Sequence, residues 1–181
     1  MNVFITGSRS GLGYQFAKAL AKKGHIVYTG VKTKQEKKTL YEKIATEKVI
    51  LFPYQYSLLS EIPMSFFEKN EIDVLFLHAS IGEGGSILEI ANTRLEENYQ
   101  VNVFGNIKII KTFLQYLVKT NRKGKIFITS SLAAFLPLPY LYSYTSTKLC
   151  LIDLAETLNL EAKYQNLPIK VSILLLGAYK T

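Results

Sequence analysis

The sequence predicts an α/β fold in which a doubly wound parallel sheet carries helices on both faces. Short apolar segments alternate along the chain with longer segments whose apolar residues recur at helical spacing. The apolar segments are nearly continuous, which is typical of parallel strands buried on both faces. No linker or low-complexity tract interrupts this alternation, so residues 1–181 are predicted to form a single domain.

Six strands are predicted, and each is a short run rich in aliphatic or aromatic residues. They cover residues 2–6, 26–29, 49–52, 73–77, 125–129 and 169–176. Gly7 ends the first strand. Pro53 is expected to stop the third strand, because proline cannot donate a hydrogen bond to a strand ladder.

Helical segments connect these strands. The first helix opens at Gly11 and is closed by Gly24, a residue type that is common just after a helix C-terminus. The other helices are predicted at residues 34–46, 61–70, 95–119 and 142–164. Right-handed crossovers then join consecutive parallel strands.

The loop between the first strand and the first helix has the features of a phosphate-binding turn. Its sequence is Thr6-Gly7-Ser8-Arg9-Ser10-Gly11-Leu12-Gly13. Gly7 permits a tight turn, Gly11 lets a phosphate approach the backbone, and Gly13 allows close packing of helix and strand. The helix N-terminus offers N–H groups and positive potential to a pyrophosphate. The Gly-Lys-Ser/Thr ending of a nucleoside-triphosphate P-loop is missing, which disfavours ATP hydrolysis.

The residues after the second strand favour one dinucleotide over the other. A site for NAD usually places a carboxylate there to bind the ribose 2′-hydroxyl, whereas a site for NADP places a cation near the 2′-phosphate. The segment Gly30-Val31-Lys32-Thr33-Lys34 contains no acid, and Arg9 of the glycine loop lies within reach of the same phosphate. We therefore expect NADP(H), with Lys32 and Arg9 beside the phosphate.

A tyrosine and a lysine near the start of the last long helix predict a proton-transfer site. Tyr144 and Lys148 are four residues apart, so both project from one helix face. A free tyrosine has a pKa near 10, and an adjacent ammonium favours the phenolate. Tyr140 and Tyr142 are alternatives, but neither has a lysine four residues later.

A serine hydroxyl at the end of the fifth strand is expected to join this pair. The carboxyl end of a strand and the start of a helix can meet at the ligand-binding edge of an α/β sheet. Ser130 and Ser131 both lie there, and strand alternation points their side chains to opposite faces. The residue pattern alone leaves both serines as candidates.

Taken together and in this order, the motifs resemble those of the short-chain dehydrogenase/reductase family. The glycine loop is similar to that family's Thr-Gly-x-x-x-Gly-x-Gly motif, and Tyr144 with Lys148 is similar to its Tyr-x-x-x-Lys motif. Ser131, thirteen residues before Tyr144, falls where the family has its catalytic serine. The resemblance therefore selects Ser131 over Ser130.

Two further segments extend the resemblance. Asn102 lies in a segment similar to the family's Asn-x-x-Gly, whose asparagine completes a proton relay through water and the lysine. Gly177 and Thr181 lie in a segment similar to the one after the sixth strand, whose threonine contacts the nicotinamide carboxamide. The resemblance implies hydride transfer between a nicotinamide and a carbonyl carbon while Tyr144 protonates the oxygen.

The resemblance also implies an architecture. It predicts a Rossmann fold with strand order 3-2-1-4-5-6, and a homodimer through the helices that carry Asn102 and Tyr144. Family members continue with a substrate-binding segment and a last strand that this sequence lacks, which leaves the sixth strand as an exposed apolar edge. Either the protein is naturally short and buries that edge in an oligomer, or the sequence is a fragment.

One departure from the family pattern concerns the segment after the fourth strand. The family's Asn-Asn-Ala-Gly appears here as Leu77-His78-Ala79-Ser80, which places His78 and Ala79 beside the cofactor. His78 is either a packing residue or a replacement hydrogen-bonding group.

Composition excludes several other classes of protein. The net charge of +8 comes largely from lysines after the second strand, and the chain has only three arginines, which does not favour nucleic-acid binding. No apolar run is long enough for a membrane span, and no metal site is predicted. The single cysteine, Cys150, fits a reducing compartment, so we expect the cytoplasm.

The expected function is therefore an NADP(H)-dependent oxidoreductase acting on a small carbonyl or alcohol. The alternative is a non-catalytic NADP(H)-binding sensor or assembly module of the same ancestry. A sensor needs only the glycine loop, whereas the set of Ser131, Tyr144, Lys148 and Asn102 favours chemistry.

Overall fold

A computed structural model describes residues 1–47, 51–55, 62–82 and 84–178 of the chain. The strands are β1 (Asn2–Ile5), β2 (Ile26–Val31), β3 (Phe52–Gln55), β4 (Val74–Leu77), β5 (Gly124–Ser131) and β6 (Ile169–Leu176). Within the described residues these six strands form one parallel sheet in the order β3-β2-β1-β4-β5-β6. The predicted doubly wound parallel sheet and its strand order are confirmed.

The helices follow the strands as predicted, with one interruption. They are α1 (Gly11–Lys22), α2 (Lys34–Glu47), α3 (Met64–Lys69), α4 (Asn92–Tyr99), α5 (Gly105–Thr120) and α6 (Tyr142–Tyr164). The single helix predicted at residues 95–119 is wrong in one respect, because a π-helical turn at Gln100–Phe104 separates α4 from α5. No helix in the described ranges combines the length and the apolar character needed to cross a bilayer.

The third strand lies further along the chain than predicted. Pro53 is inside β3 and is paired with Thr29 of β2, so the expectation that it stops the strand is wrong. A proline is tolerated here because β3 is at the edge of the sheet, where some N–H groups need no strand partner. Val49 and Ile50 of the predicted strand lie outside the described residues.

Two apolar clusters cover the two faces of the sheet. On one face, α3, α5 and α6 pack over strand residues that include Phe4, Leu75 and Ile126. On the other face, α1 and α2 pack over strand residues that include Val3 and Val27. Burial on both faces explains why the strand sequences are nearly continuous runs of apolar residues.

The carboxyl ends of β1 and β4 are tied together by one hydroxyl. The Thr6 Oγ1 atom accepts the backbone N–H groups of His78 and Ala79, each at 3.0 Å. This bridge holds the start of the glycine loop against the segment that follows β4. The two segments predicted to contact a cofactor therefore lie side by side.

Gly13 in α1 allows that close approach. A Cβ atom at this position would lie 2.2 Å from the Gly7 carbonyl oxygen and 2.7 Å from the His78 Cδ2 atom. A glycine-to-alanine change inside an exposed helix usually stabilises it. Here the added methyl group would instead push α1 away from the loop.

We expect Gly13→Ala to lower the free energy of unfolding by about 1–3 kcal/mol, the usual cost of overpacking. Gly85→Ala is a control, because a Cβ there has its nearest neighbour at 3.5 Å, in Ile90, an ordinary van der Waals separation. Urea denaturation of both variants measures the difference. Gly13→Ala as stable as the wild type would contradict the packing described.

Candidate active site

A cleft of about 410 Å³ runs along the carboxyl edge of the sheet. Most of the predicted site residues line this cleft: Gly7, Arg9, Ser10, Gly11, Leu12, Lys32, His78, Ala79, Ser131, Tyr144, Lys148 and Gly177. They come from segments after β1, β2, β4, β5 and β6, which a parallel sheet brings to one edge. The glycine loop and the Tyr-Lys pair thus contribute to the same cleft.

The glycine loop forms a cradle of bare backbone. Gly7 has a φ of +67°, and a Cβ atom there would lie 2.6 Å from the Ala79 Cα atom. Gly11 also has a positive φ, and with Leu12 it brings the first turn of α1 to the cleft wall. A helix N-terminus beside uncluttered backbone suits a pyrophosphate. The loop therefore fits the central part of a dinucleotide.

The end of the cleft beside Arg9 and Lys32 contains an acid that was not predicted from the sequence. Glu36, in the first turn of α2, lines the cleft together with Gly30 and Lys32. Its Oε1 atom lies 3.5 Å from the Arg9 Nε atom, and its Oε2 atom accepts the Lys32 backbone N–H at 2.7 Å. The segment 30–34 contains no acid, as expected, but the first turn of α2 places the Glu36 carboxylate next to it. The missed signal was the Thr-x-x-Glu pattern of a helix start at Thr33.

At the other end, the Lys148 ammonium is buried beside the Tyr144 ring. Lys148 is only 2% exposed, and its Nζ atom donates to the Thr129 carbonyl at 3.3 Å and lies 5.5 Å from the Tyr144 ring centroid. Burial lowers the pKa of Lys148 to about 8. Roughly 90% of such a group is still protonated at pH 7. An ammonium is thus present next to the tyrosine at neutral pH.

The two serines at the end of β5 have different environments. Ser130 is buried, and its hydroxyl donates to the Lys148 carbonyl at 2.8 Å, which joins β5 to α6. The Ser131 side chain is half-buried in the cleft, where its hydroxyl accepts the Ala133 N–H at 3.1 Å and donates to the Leu176 carbonyl at 3.4 Å. Both serines line the cleft, and the Ser130 hydroxyl in addition joins β5 to α6.

Asn102 is fully buried in the π-helical turn and holds a loop in place. Its Oδ1 atom accepts the Ile81 N–H at 2.9 Å, and its Nδ2 atom donates to the Ile81 carbonyl at 2.8 Å and to the Thr147 hydroxyl at 3.0 Å. The π turn inserts an extra residue into the helix. Asn102 thereby connects the loop after β4 to α6, the helix that carries Tyr144.

That loop packs directly on the tyrosines. A Cβ atom at Gly82 would lie 3.3 Å from the Tyr144 Cδ2 atom. The Gly85 N–H donates to the Tyr140 carbonyl at 2.7 Å. The hydrogen bonds of Asn102 to Ile81 therefore help to position the loop over the Tyr144 ring.

His78 combines packing with hydrogen bonding. Its ring makes edge contacts with Phe16 and Phe76, and its Nδ1 atom lies 3.2 Å from the Thr129 hydroxyl. Burial, and to a lesser extent the charge of Lys148, lower the pKa of His78 to about 4. The His78 ring is therefore neutral at pH 7 and adds no positive charge beside Lys148.

Three predicted site residues do not line the cleft. Ser8 is buried and its hydroxyl donates to the Ile5 carbonyl at 3.3 Å, while Gly13 and Asn102 are buried and are not part of the cleft wall. Thr181 lies outside the described residues. The cleft is also lined by Ser130, the alternative serine candidate, and by residues that were not predicted as site residues: Gly30, Glu36, Ser80, Ile81, Val101, Thr129 and Leu176.

Comparison with known proteins identifies the family. The family model described as short chain dehydrogenase matches residues 1–181, the whole chain. The chain therefore belongs to the short-chain dehydrogenase/reductase family, as the motifs predicted.

Individual relatives are oxidoreductases. The chain is 27% identical to an NADPH-dependent 1-acyldihydroxyacetone phosphate reductase of Saccharomyces cerevisiae, covering 88% of this chain and 55% of the yeast protein. It is 29% identical to a 3-ketodihydrosphingosine reductase of Bacteroides thetaiotaomicron, covering 99% of this chain and 64% of that protein. The chain thus spans somewhat more than half the length of these relatives.

Among solved structures, the apo form of LigO from Sphingobium sp. strain SYK-6 superposes with a TM-score of 0.87 at 26% identity. The match covers 98% of this chain and 67% of LigO.

The neutral state of His78 makes stability depend on pH. As pH falls from about 6.5 to about 4, an unfolded histidine binds a proton while the folded His78 does not, so the folded state loses stability across that window. We expect wild type to lose more unfolding free energy between pH 7 and pH 5 than His78→Asn does. The difference should be about 1 kcal/mol, allowing for partial solvent access. Urea denaturation at both pH values measures it, and equal losses would contradict a half-buried ring that is neutral at pH 7.

Proposed function

We propose that the protein is an NADP(H)-dependent oxidoreductase that interconverts a carbonyl and an alcohol, with Tyr144 as the general acid and base. One observation carries the proposal. A buried ammonium, Lys148, lies next to Tyr144 in the same cleft as a glycine cradle suited to a pyrophosphate. A protein that only binds a dinucleotide has no need for a buried lysine beside a tyrosine, since burying a charge is costly.

In this mechanism a bound nicotinamide supplies or accepts the hydride. In the reducing direction Tyr144 donates its phenolic proton to the oxygen of the substrate carbonyl. The Lys148 ammonium stabilises the phenolate that remains, because an opposite charge favours the ionised form of an acid. The Ser131 hydroxyl holds the carbonyl oxygen in position, while Asn102 supports the loop over Tyr144 and, through it, the proton relay.

Tyr144→Phe tests the proposed chemistry. The variant lacks the proton donor, so we expect turnover of NADPH with a reactive ketone or aldehyde to fall at least about 100-fold, the range for loss of a general acid. Its dissociation constant for NADPH should change by less than about threefold. Spectrophotometric assay over a carbonyl panel, with NADPH binding followed by fluorescence, measures both.

Tyr140→Phe is the matched control and should keep full activity, because Tyr140 is largely exposed. Two outcomes would count against the assignment. A Tyr144→Phe variant as active as wild type would remove Tyr144 from the chemistry. A wild type that binds NADPH and reduces no member of the panel would favour the non-catalytic sensor.

The preference for NADP(H) rests on Arg9 and Lys32 at one end of the cleft. The relative from Saccharomyces cerevisiae is named as NADPH-dependent, which agrees with this preference. We expect wild type to bind NADPH more tightly than NADH in a direct titration at low salt. Tighter binding of NADH would contradict the preference.

We also propose a homodimer formed through the helices that carry Asn102 and Tyr144. Large apolar side chains are exposed on these helices: Phe104, Ile107, Leu149 and Leu160. Light scattering at micromolar concentration should give twice the chain mass of 20.5 kDa, and Leu149→Glu should shift the protein towards the monomer. A monomeric wild type would be inconsistent with this interface. A cytoplasmic location stays a prediction from the single cysteine.

A further inference from the structure

The carboxylate of Glu36 lies where the cleft would meet the adenosine end of a dinucleotide. It forms part of the wall with Gly30 and Lys32, and its Oε1 atom lies 3.5 Å from the Arg9 Nε atom. The Glu36 side chain is 25% exposed and that of Arg9 is 55% exposed. The acid is thus less exposed than the base with which it pairs.

The start of α2 explains why Glu36 points to the cleft. The Glu36 N–H donates to the Thr33 hydroxyl at 3.0 Å, and the Glu36 Oε2 atom accepts the Lys32 N–H at 2.7 Å. These reciprocal bonds resemble a capping box, in which a side chain from the first turn reaches back over the helix start. The orientation of the carboxylate is therefore fixed by the local sequence and does not depend on a ligand.

We propose that Glu36 limits the preference of this site for NADPH over NADH, by holding Arg9 in an ion pair that a 2′-phosphate must replace. This inference rests on the proposed function, because it concerns the same cofactor site. Lys32 and Arg9 favour the phosphate, and Glu36 opposes it. The selectivity of the site is then set by three residues, of which only the two cations were predicted from the sequence.

Electrostatics gives the direction of the effect. The 2′-phosphate of NADPH is an anion, so a carboxylate at that end of the cleft repels it and competes with it for the Arg9 guanidinium. NADH has a neutral 2′-hydroxyl there, which can donate a hydrogen bond to a carboxylate. Glu36 should therefore weaken NADPH binding and leave NADH binding unchanged or stronger.

Glu36→Gln tests the proposal, since the amide oxygen of Gln can still accept the Lys32 N–H while the charge is lost. The measured quantity is the ratio of the dissociation constants for NADH and NADPH, obtained by fluorescence titration without any carbonyl substrate. We expect this ratio to rise about tenfold, mainly because the 2′-phosphate then no longer has to displace a carboxylate from the Arg9 guanidinium. Glu42→Gln removes the same charge from α2 outside the cleft and should change the ratio less than twofold.

A second pair of variants isolates the ion pair. In an Arg9→Gln background, Glu36→Gln should change the ratio less than about threefold, because the guanidinium for which the two anions compete is gone and only their solvent-screened repulsion remains. A full tenfold change in that background would show that Glu36 acts without Arg9 and would overturn the proposal. An unchanged or lower ratio for Glu36→Gln alone would also overturn it.

Failure of this inference can be told apart from failure of the proposed function. If wild type binds both dinucleotides and the ratio does not respond to Glu36→Gln, only the role of Glu36 is rejected. If wild type binds neither dinucleotide, the proposed function and this inference fall together.

Discussion

The burial of the Lys148 ammonium is the constraint on which the candidate site depends. A charge that is 2% exposed is costly unless the surrounding structure supplies acceptors, and the Thr129 carbonyl supplies one. The Ser130 hydroxyl fixes the other side of the same junction by bonding the Lys148 carbonyl. Strand β5 and helix α6 are thus joined through both the backbone and the side chain of one residue. This junction positions Tyr144 in the cleft, because Tyr144 lies one helical turn before Lys148 in α6.

The rest of the site is consistent with a single buried cation. His78 lies near Lys148, and its pKa is lowered to about 4 by burial and by that charge, so it adds no second cation at neutral pH. Asn102 uses its amide to hold Ile81 and Thr147 and thereby places the loop of Gly82 against the Tyr144 ring. The opposite end of the cleft is different, because there Arg9 and Glu36 carry opposite charges on exposed or half-buried side chains.

Long periodic segments were predictable from the sequence, and local insertions were not. The bounds of α6 and β6 agree with the predicted ones, since each is a continuous pattern and Pro168 separates the two directly before β6 begins. The π turn at Gln100–Phe104 was missed because one inserted residue hardly changes helical spacing. Pro53 was given too much weight as a strand terminator, because its edge position was not considered.

The same contrast holds for the candidate site. Residues within contiguous motifs, such as Gly7, Tyr144 and Lys148, were predicted from their spacing, and the structure places them in one cleft. Glu36 was not predicted as a cleft residue, since it reaches the cleft only through the start of α2, which brings its carboxylate back to Lys32 and Arg9. The choice of Ser131 over Ser130 came from family order alone and stays a prediction, since both serines line the cleft and both hydroxyls form hydrogen bonds.

The central claim is that this cleft transfers hydride to a carbonyl, and isotope transfer tests it most directly. NADPH carrying deuterium at C4 of the nicotinamide would be incubated with the protein and a panel of ketones and aldehydes in ordinary water. We expect an alcohol with deuterium on the former carbonyl carbon for at least one member of the panel. Binding of NADPH with no deuterated alcohol from any member would contradict it.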